Sequence, residues 1–295
     1  MMQQYTYQVA DFAFQVVLPA PIDAVCLMPS FVNFLSQGAP TKELLFTFTA
    51  MGVPMMETQI LRVVEESNSD MGHTRLMQLS NGGYRLEMTY NQGQVVHIMY
   101  ANADFTDIQA NIQWNDDYAG SVLTSMLRIA YAQSVLKHNA LSLHASTVVY
   151  KGRAILFMGE SGTGKSTHAS LWQQCFNDAF LLNDDNPSLR VFADGCVMAY
   201  GTPWSGKTPC YKNESYPVEA IVRLHQAKEN KYKSFKDVEA FTAILPGCSA
   251  IRVDKTLYDH LCDTLVTIAE SVKVGELVCM PNQNAAQVCA TSIFN

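Results

Sequence analysis

The stretch GESGTGKST, residues 159–167, constrains the fold more than any other part of this chain. Gly159 is followed by four residues and then by Gly164, Lys165 and Ser166, the spacing of a Walker A phosphate loop. Such a loop works only between a strand and a helix. Its glycines let the backbone curl around an anion with no Cβ in the way. Its exposed N–H groups and the helix N-terminus supply partial positive charge. The flanks agree, because RAILFM before the loop is a strand-like apolar run and STHASLWQQC after it favours a helix. Gly159, Glu160, Ser161, Gly162, Thr163, Gly164, Lys165, Ser166 and Thr167 are therefore the candidate nucleotide-binding set. Lys165 is expected to reach the β- and γ-phosphates, and Ser166 to offer its hydroxyl to Mg²⁺.

A chain of 295 residues is long enough for two domains, and its 48% hydrophobic and 16% charged residues allow a sizeable core. A net charge of -7 argues against nucleic acid as a partner, since backbone phosphates need a basic surface. No run of about 18 apolar residues predicts a membrane span, and MMQQYTYQVADFAFQVVLPAP lacks the basic start of a signal peptide. None of the eight cysteines forms a C-x-x-C pair, so free thiols in a reducing cytoplasm are expected.

Residues 1–138 read as a β-rich domain ending in a long bridging helix. Aromatic and β-branched segments alternate with the turn formers SNGG and NQG, as in a meander of hairpins. DDYAGSVLTSMLRIAYAQSVLKHNA then has helical periodicity, with Asp116 or Asp117 as the expected cap and Lys137 and His138 near the end. Residues 139–295 form the second domain. Strands are expected at 141–150, 154–158 and 180–183, then a hairpin around Asp194 and Gly195, the strand VEAIVRL, helices at 235–245 and 255–270, a strand near 272–280 and a terminal helix. The hairpin so soon after the loop implies antiparallel pairing, hence an α/β core with a mixed sheet in a chain that is α+β as a whole. KENKYKSFK, residues 228–236, reads as a solvated segment.

Asp184 and Asp185 lie 19 and 20 residues beyond Lys165, at the end of the apolar strand FLLNDD. Phosphoryl transfer to an alcohol needs one carboxylate near the nucleophile and one near the metal. GTPWSGKTP adds a Trp, a Ser and a Lys in a loop. Trp204 and Ser205 are candidates to line a substrate pocket, and Lys207 to neutralise phosphate or an acidic substrate.

Together, LHAS, GESGTGKST, LLNDD and YGTPWSG resemble the HPr kinase/phosphorylase-related family, which shares its fold with phosphoenolpyruvate carboxykinase. The resemblance covers about residues 141–295. It implies a P-loop kinase core using ATP and Mg²⁺ to phosphorylate a hydroxyl. It also implies catalytic roles for Asp184 as base and His144 beside Lys165, with Asp185 and Ser166 on the metal, the two aspartates being exchangeable. The glycine-rich RG-G stretch of the HPr kinases themselves is missing, so a serine of another protein or peptide, or a small metabolite, is the expected acceptor. Two other readings share the loop: a nucleotide-binding regulatory module, and phosphorylase- or hydrolase-type phosphate release. Homo-oligomers are common among such relatives.

Overall fold

The computed structural model describes residues 1–38, 43–51, 59–69, 72–90, 95–206 and 208–295, so the turn expected at 91–93 and Lys207 lie outside the described residues. The chain divides into two compact units. The first comprises Met1–Val135 with Ile251–Asp254, and the second Leu136–Ala250 with Lys255–Asn295.

The first unit contains strands β1 (Met2–Val9), β2 (Phe12–Pro19), β3 (Leu44–Ala50), β4 (Ile60–Ser69), β5 (Gly72–Leu79), β6 (Tyr84–Tyr90), β7 (His97–Ala101) and β8 (Asp107–Asn111). A one-turn helix α1 (Ala24–Leu27) and the long α2 (Ala119–Ser134) complete it. The strands form one mixed sheet in the order β1-β2-β3-β8-β7-β6-β5-β4, with parallel pairing on both sides of β3. Alternation explains its inner face: Tyr84, Leu86 and Met88 of β6 are buried between less buried neighbours. Val122, Leu123, Met126 and Leu127 of α2 are fully buried, and the helix packs on β3, β6 and β7. The β1–β2 turn is Ala10-Asp11, both with left-handed backbone (φ 50° and 62°), as a two-residue hairpin loop demands.

Two expectations about α2 need correction. Its N-cap is Tyr118, without a side-chain bond. Asp116 instead accepts the Tyr118 N–H at 3.1 Å and lies 2.7 Å from Nε2 of the fully buried His97, whose hydrogen bond holds its carboxyl below the usual range. The helix also ends at Ser134, because Leu136–His138 is a 3₁₀ turn of the second unit. The structural boundary thus falls at Val135, and Ile251–Asp254 joins the earlier residues. There the Ile251 N–H donates to Gln133 Oε1 at 2.9 Å, and the Tyr84 hydroxyl to Asp254 Oδ2 at 2.6 Å.

The second unit contains β9 (Ala140–Ser142), β10 (Ala145–Tyr150), β11 (Arg153–Met158), α3 (Lys165–Cys175), β12 (Phe180–Asp185), β13 (Ser188–Val191), β14 (Val197–Tyr200), β15 (Ser215–Gln226), β16 (Lys231–Phe235), α4 (Asp237–Ile244), α5 (Lys255–Ser271), β17 (Lys273–Cys279) and α6 (Gln283–Phe294). Its sheet runs β12-β10-β11-β15-β14-β13-β9, with β17 added on β15 and β16 on β17. β11, β15 and β17 are parallel and the other pairs antiparallel, which makes this sheet mixed as well. The expected strand 141–150 is two strands, broken where the Leu143 N–H turns to Pro187 O (3.1 Å) and the His144 N–H to Gly247 O (2.8 Å). The lysine-rich stretch expected to be solvated contains β16, whose Tyr232 packs against the core. On one face Val148, Ile155, Phe157, Val222, Leu224 and Leu277 meet Trp172 of α3 and Ile293 of α6. On the other, α4 packs on β15 and β17. Among the described residues no helix is long and apolar enough to cross a membrane, and all eight cysteines are free thiols.

Candidate functional site

Buried β11 delivers the chain to the loop, and α3 starts at Lys165 after Gly164, which has φ +98° and no side-chain cap. The first-turn N–H groups of α3 have no intrahelical acceptor, so the loop ends on an open set of donors. Gly159 has φ +156°, and a Cβ there would lie 2.7 Å from Thr163 Oγ1 and 3.2 Å from Leu224 O. Gly162 has φ +84° and open space around it. The Thr163 hydroxyl donates to Glu160 O, and Gln226 Nε2 donates to Gly162 O (3.2 Å) and Thr163 O (3.4 Å), bracing the outer side. Lys165 Nζ curls back to Gly159 O at 3.0 Å and Glu160 O at 3.3 Å. Burial lowers its pKa, and the charges of Asp185 and Asp184 partly oppose that shift.

β12 brings both aspartates to the loop. Ser146 of β10 pairs with Asp184 and Ala145 with Asp185, so the two carboxylates leave on opposite faces of the sheet. Asp184, 2% exposed, faces α3. Its Oδ1 accepts from the hydroxyls of Ser146 and Ser166, the latter at 2.9 Å, and its Oδ2 from the Thr208 N–H at 3.2 Å. Asp185 is more open. Its Oδ1 lies 2.8 Å from His144 Nδ1, and its Oδ2 accepts from Asn186 Nδ2 at 2.6 Å. Asp185 also has φ +152°, a region costing about 1–3 kcal/mol for a residue with a Cβ, and a bridge to Ser205 holds it there.

The turn from β14 towards β15 is built around Asn183. Its Nδ2 donates to Trp204 O (3.0 Å) and Thr202 Oγ1 (3.2 Å), and its Oδ1 accepts the Asn186 N–H (3.0 Å). The Gly206 N–H donates to Asp184 O, and a Cβ on Gly206 would come within 2.9 Å of that oxygen. Trp204 is 6% exposed, a core residue of the loop rather than an open wall. Ser205 Oγ is engaged by Thr208 O at 2.6 Å and Asp184 O at 3.3 Å. Thus Lys165, Ser166, Asp184, Asp185 and His144 come together, while Trp204 and Ser205 shape the loop beside them. Ser146, Asn183, Asn186 and Thr208 escaped notice in the sequence. Ser146 and Asn183 do sit inside the quoted segments LHAS and LLNDD, but nothing local marks them as ligands of the aspartates or the loop.

His168, one turn into α3, is nearly fully buried. Its Nε2 accepts the Trp172 indole N–H at 3.1 Å, and Phe157 meets its ring edge-on at 4.6 Å. Burial pushes its pKa from 6.5 down to about 4. The folded chain then stays neutral at His168 where the unfolded chain binds a proton. Stability is complete above about pH 6.5 and falls towards pH 4, by about 1.4 kcal/mol per pH unit from this group. His168→Gln keeps an acceptor for Trp172 but cannot titrate. Urea midpoints should show the wild type losing about 2 kcal/mol more than this variant between pH 7 and pH 5; equal losses would acquit His168.

Fold and site together define a two-unit α/β protein whose second unit holds a glycine-rich loop, between strand and helix, against a pair of aspartates. The chain belongs to the family described as SynChlorMet cassette protein ScmC, whose family model matches residues 109–260, just over half of its length. Among solved structures it is similar to "Structure of the Hpr(Ser) kinase/phosphatase from Coxiella burnetii", with 11% identity, a TM-score of 0.31, and coverage of 51% of this chain and 95% of that one. No curated protein matches it in sequence.

Proposed function

We propose that the second unit is an ATP- and Mg²⁺-dependent phosphotransferase acting on a hydroxyl. The observation that carries this reading is the bond from Ser166, the hydroxyl residue of the loop, to Asp184, while the adjacent Asp185 faces the other side with His144. The residues suit a nucleotide phosphate on separate grounds. The α3 N-terminus has no side-chain cap, Gly162 and Gly164 adopt left-handed backbone with open space at Gly162, and among the described residues Lys165 reaches only loop carbonyls. They also suit Mg²⁺, which takes one or two carboxylates and leaves its other positions to phosphate and water.

Bound Mg-ATP would supply the γ-phosphoryl group and the divalent charge that neutralises it. The loop amides and the α3 N-terminus would hold the phosphates, with Lys165 exchanging its two carbonyl partners for phosphate oxygens. Ser166 and Asp184 would hold the metal side, since Asp184 is buried and fixed by three donors. Asp185 would take the proton of the acceptor hydroxyl at a carboxylate oxygen, with His144 orienting it. This order exchanges the two aspartate roles expected from the resemblance. Trp204 and Ser205 would position the loop around Asp184 rather than contact the acceptor.

Titration calorimetry with ATP, with and without Mg²⁺, tests the reading. Wild type is expected to bind Mg-ATP more tightly than ATP alone, and Lys165→Ala to weaken binding at least about tenfold through its lost charged contacts. A wild type that binds neither nucleotide nor pyrophosphate would sink it.

A further inference from the structure

On the opposite face of this sheet lies Arg223, a cation with no part in the proposed transfer. Arg223 of β15 lies beside Met158, the last residue before the loop, and its partner on the other side is Glu276 of β17. Ile155, Phe157, Val222, Leu224 and Leu277 belong to the core under α3 and α6. Alternation therefore puts Met158, Arg223 and Glu276 on the other face, where Asp185 also lies. Asp185 pairs with Ala145, Ala145 with Met158, and Met158 with Arg223. The four residues form one row across adjacent strands, and three strand spacings separate Asp185 from Arg223 by about 14 Å between Cα atoms.

Burial falls along this face towards the loop end of the strands. Ile221 and Val274 are buried, Arg223 is half-buried, and His225 and Glu276 are half-open. Between the two ends of the row the face is covered, with Gly247 packed on Met158. Ala145 is fully buried, and Met158 is so close to Gly247 that a Cβ there would come within 2.7 Å of its Cε.

Among the described residues the other charged groups next to Arg223 on this face are engaged elsewhere. Glu276, directly opposite it, is turned to His225, with its Oε1 3.1 Å from Nε2, and Lys233, the next cation along, is bound to Glu239 at 3.2 Å. Among the described residues Arg223 has no hydrogen bond, ion pair or ring contact. A partly desolvated guanidinium left without an acceptor is costly, and its planar fork suits a carboxylate better than any other side chain does.

We propose that Arg223 binds a carboxylate of the phosphoryl acceptor, so that the acceptor is a hydroxyl compound that also carries a carboxylate. This rests on Asp185 receiving the hydroxyl proton. The hydroxyl sits at the Asp185 end of the row and the carboxylate at the Arg223 end, on the loop side of the buried Ala145 and Met158. Two sources share this chemistry, a small hydroxy acid and an acidic residue near a serine in a peptide.

The full chain labelled with nitrogen-15 arginine, with the Arg223 side-chain signal assigned from Arg223→Lys, is titrated with two matched pairs of probes. One pair is N-acetyl-L-serine and N-acetyl-L-serinamide. The other is Ac-Gly-Ser-Glu-Gly-NH2 and its glutamine counterpart. The carboxylate member of at least one pair should move the Arg223 Nε–H signal saturably, its uncharged partner should not, and Arg223→Gln should weaken that binding at least about tenfold. The responding pair identifies the source. Equal effects within both pairs, or no effect in either, overturn the proposal. Each titration is run with and without Mg-ADP. A carboxylate response in a chain that binds no Mg-ADP would refute the phosphotransferase reading while leaving the anion site standing.

Discussion

Asp185→Asn is expected to lower loss of the γ-phosphoryl group from ATP, to water or to a supplied hydroxyl, by about 10²–10⁴-fold, the usual worth of a general base. Asparagine is nearly isosteric and can keep one bond to Asn186, but it cannot accept the proton. Affinity for Mg-ATP, held by the loop and Lys165, should change by less than about threefold, roughly 0.6 kcal/mol. Asp184→Asn should behave differently. It leaves the Ser146, Ser166 and Thr208 donors in place, yet removes the negative charge and sets an NH₂ where one of the two carboxylate oxygens accepted. The rate should then recover as Mg²⁺ is raised, because metal affinity is what is lost. Single-turnover rates across a Mg²⁺ titration separate the two. If Asp184→Asn is dead at saturating Mg²⁺ and Asp185→Asn is rescued by it, the roles stand in the order the resemblance implied.

Trp172→Ala is expected to destabilise the second unit by about 3–5 kcal/mol, as for other buried aromatics cut to alanine. The ring has no exposed surface. It lies 5.6 Å from Phe157, 5.8 Å from Tyr150 and 5.1 Å from Phe176, ring centre to ring centre. Its indole N–H also serves the buried acceptor of His168. Trp172→Phe separates these contributions. It keeps most of the packing but leaves His168 Nε2 buried without a donor, which costs about 1–3 kcal/mol. Urea unfolding followed by circular dichroism reads both variants. A loss below about 1 kcal/mol in Trp172→Ala would mean the core is not organised around this ring. Because Trp172 sits two turns into the helix that starts at Lys165, loosening it should also blunt nucleotide affinity.

The loop was legible because its chemistry is local: Gly159, Gly164, Lys165 and Ser166 carry their spacing in eight consecutive letters. The paired aspartates were legible as a pair, since an apolar run ending in two carboxylates is a local pattern as well. Which of the two meets Ser166 was not. It depends on the pairing of β12 with β10, including a register shift between Thr147 and Val148. The mixed sheet followed from the early hairpin. The break at Leu143 and His144 did not, because its cause is a pair of bonds to Pro187 and Gly247, far along the chain. β16 was hidden for a related reason. Lysines on an edge strand keep sheets from pairing with strangers, and in one dimension they look like a solvated run. Nothing local marks Arg223, because its neighbours Met158 and Glu276 are 65 and 53 positions away.

The small excursion of Ile251–Asp254 bears on the order in which the protein can be made. Translation delivers Met1–Val135 first, yet the acceptor on Gln133 and the hydroxyl of Tyr84 wait for partners that leave the ribosome more than a hundred residues later. Those two bonds therefore form only after most of the second unit has been synthesised. Neither half can be expressed by cutting once at Val135 without stranding four residues in the wrong fragment. For this chain the domain is a unit of packing but not of assembly, and folding during synthesis must run through a first unit that is complete in its sheet and unfinished at one edge.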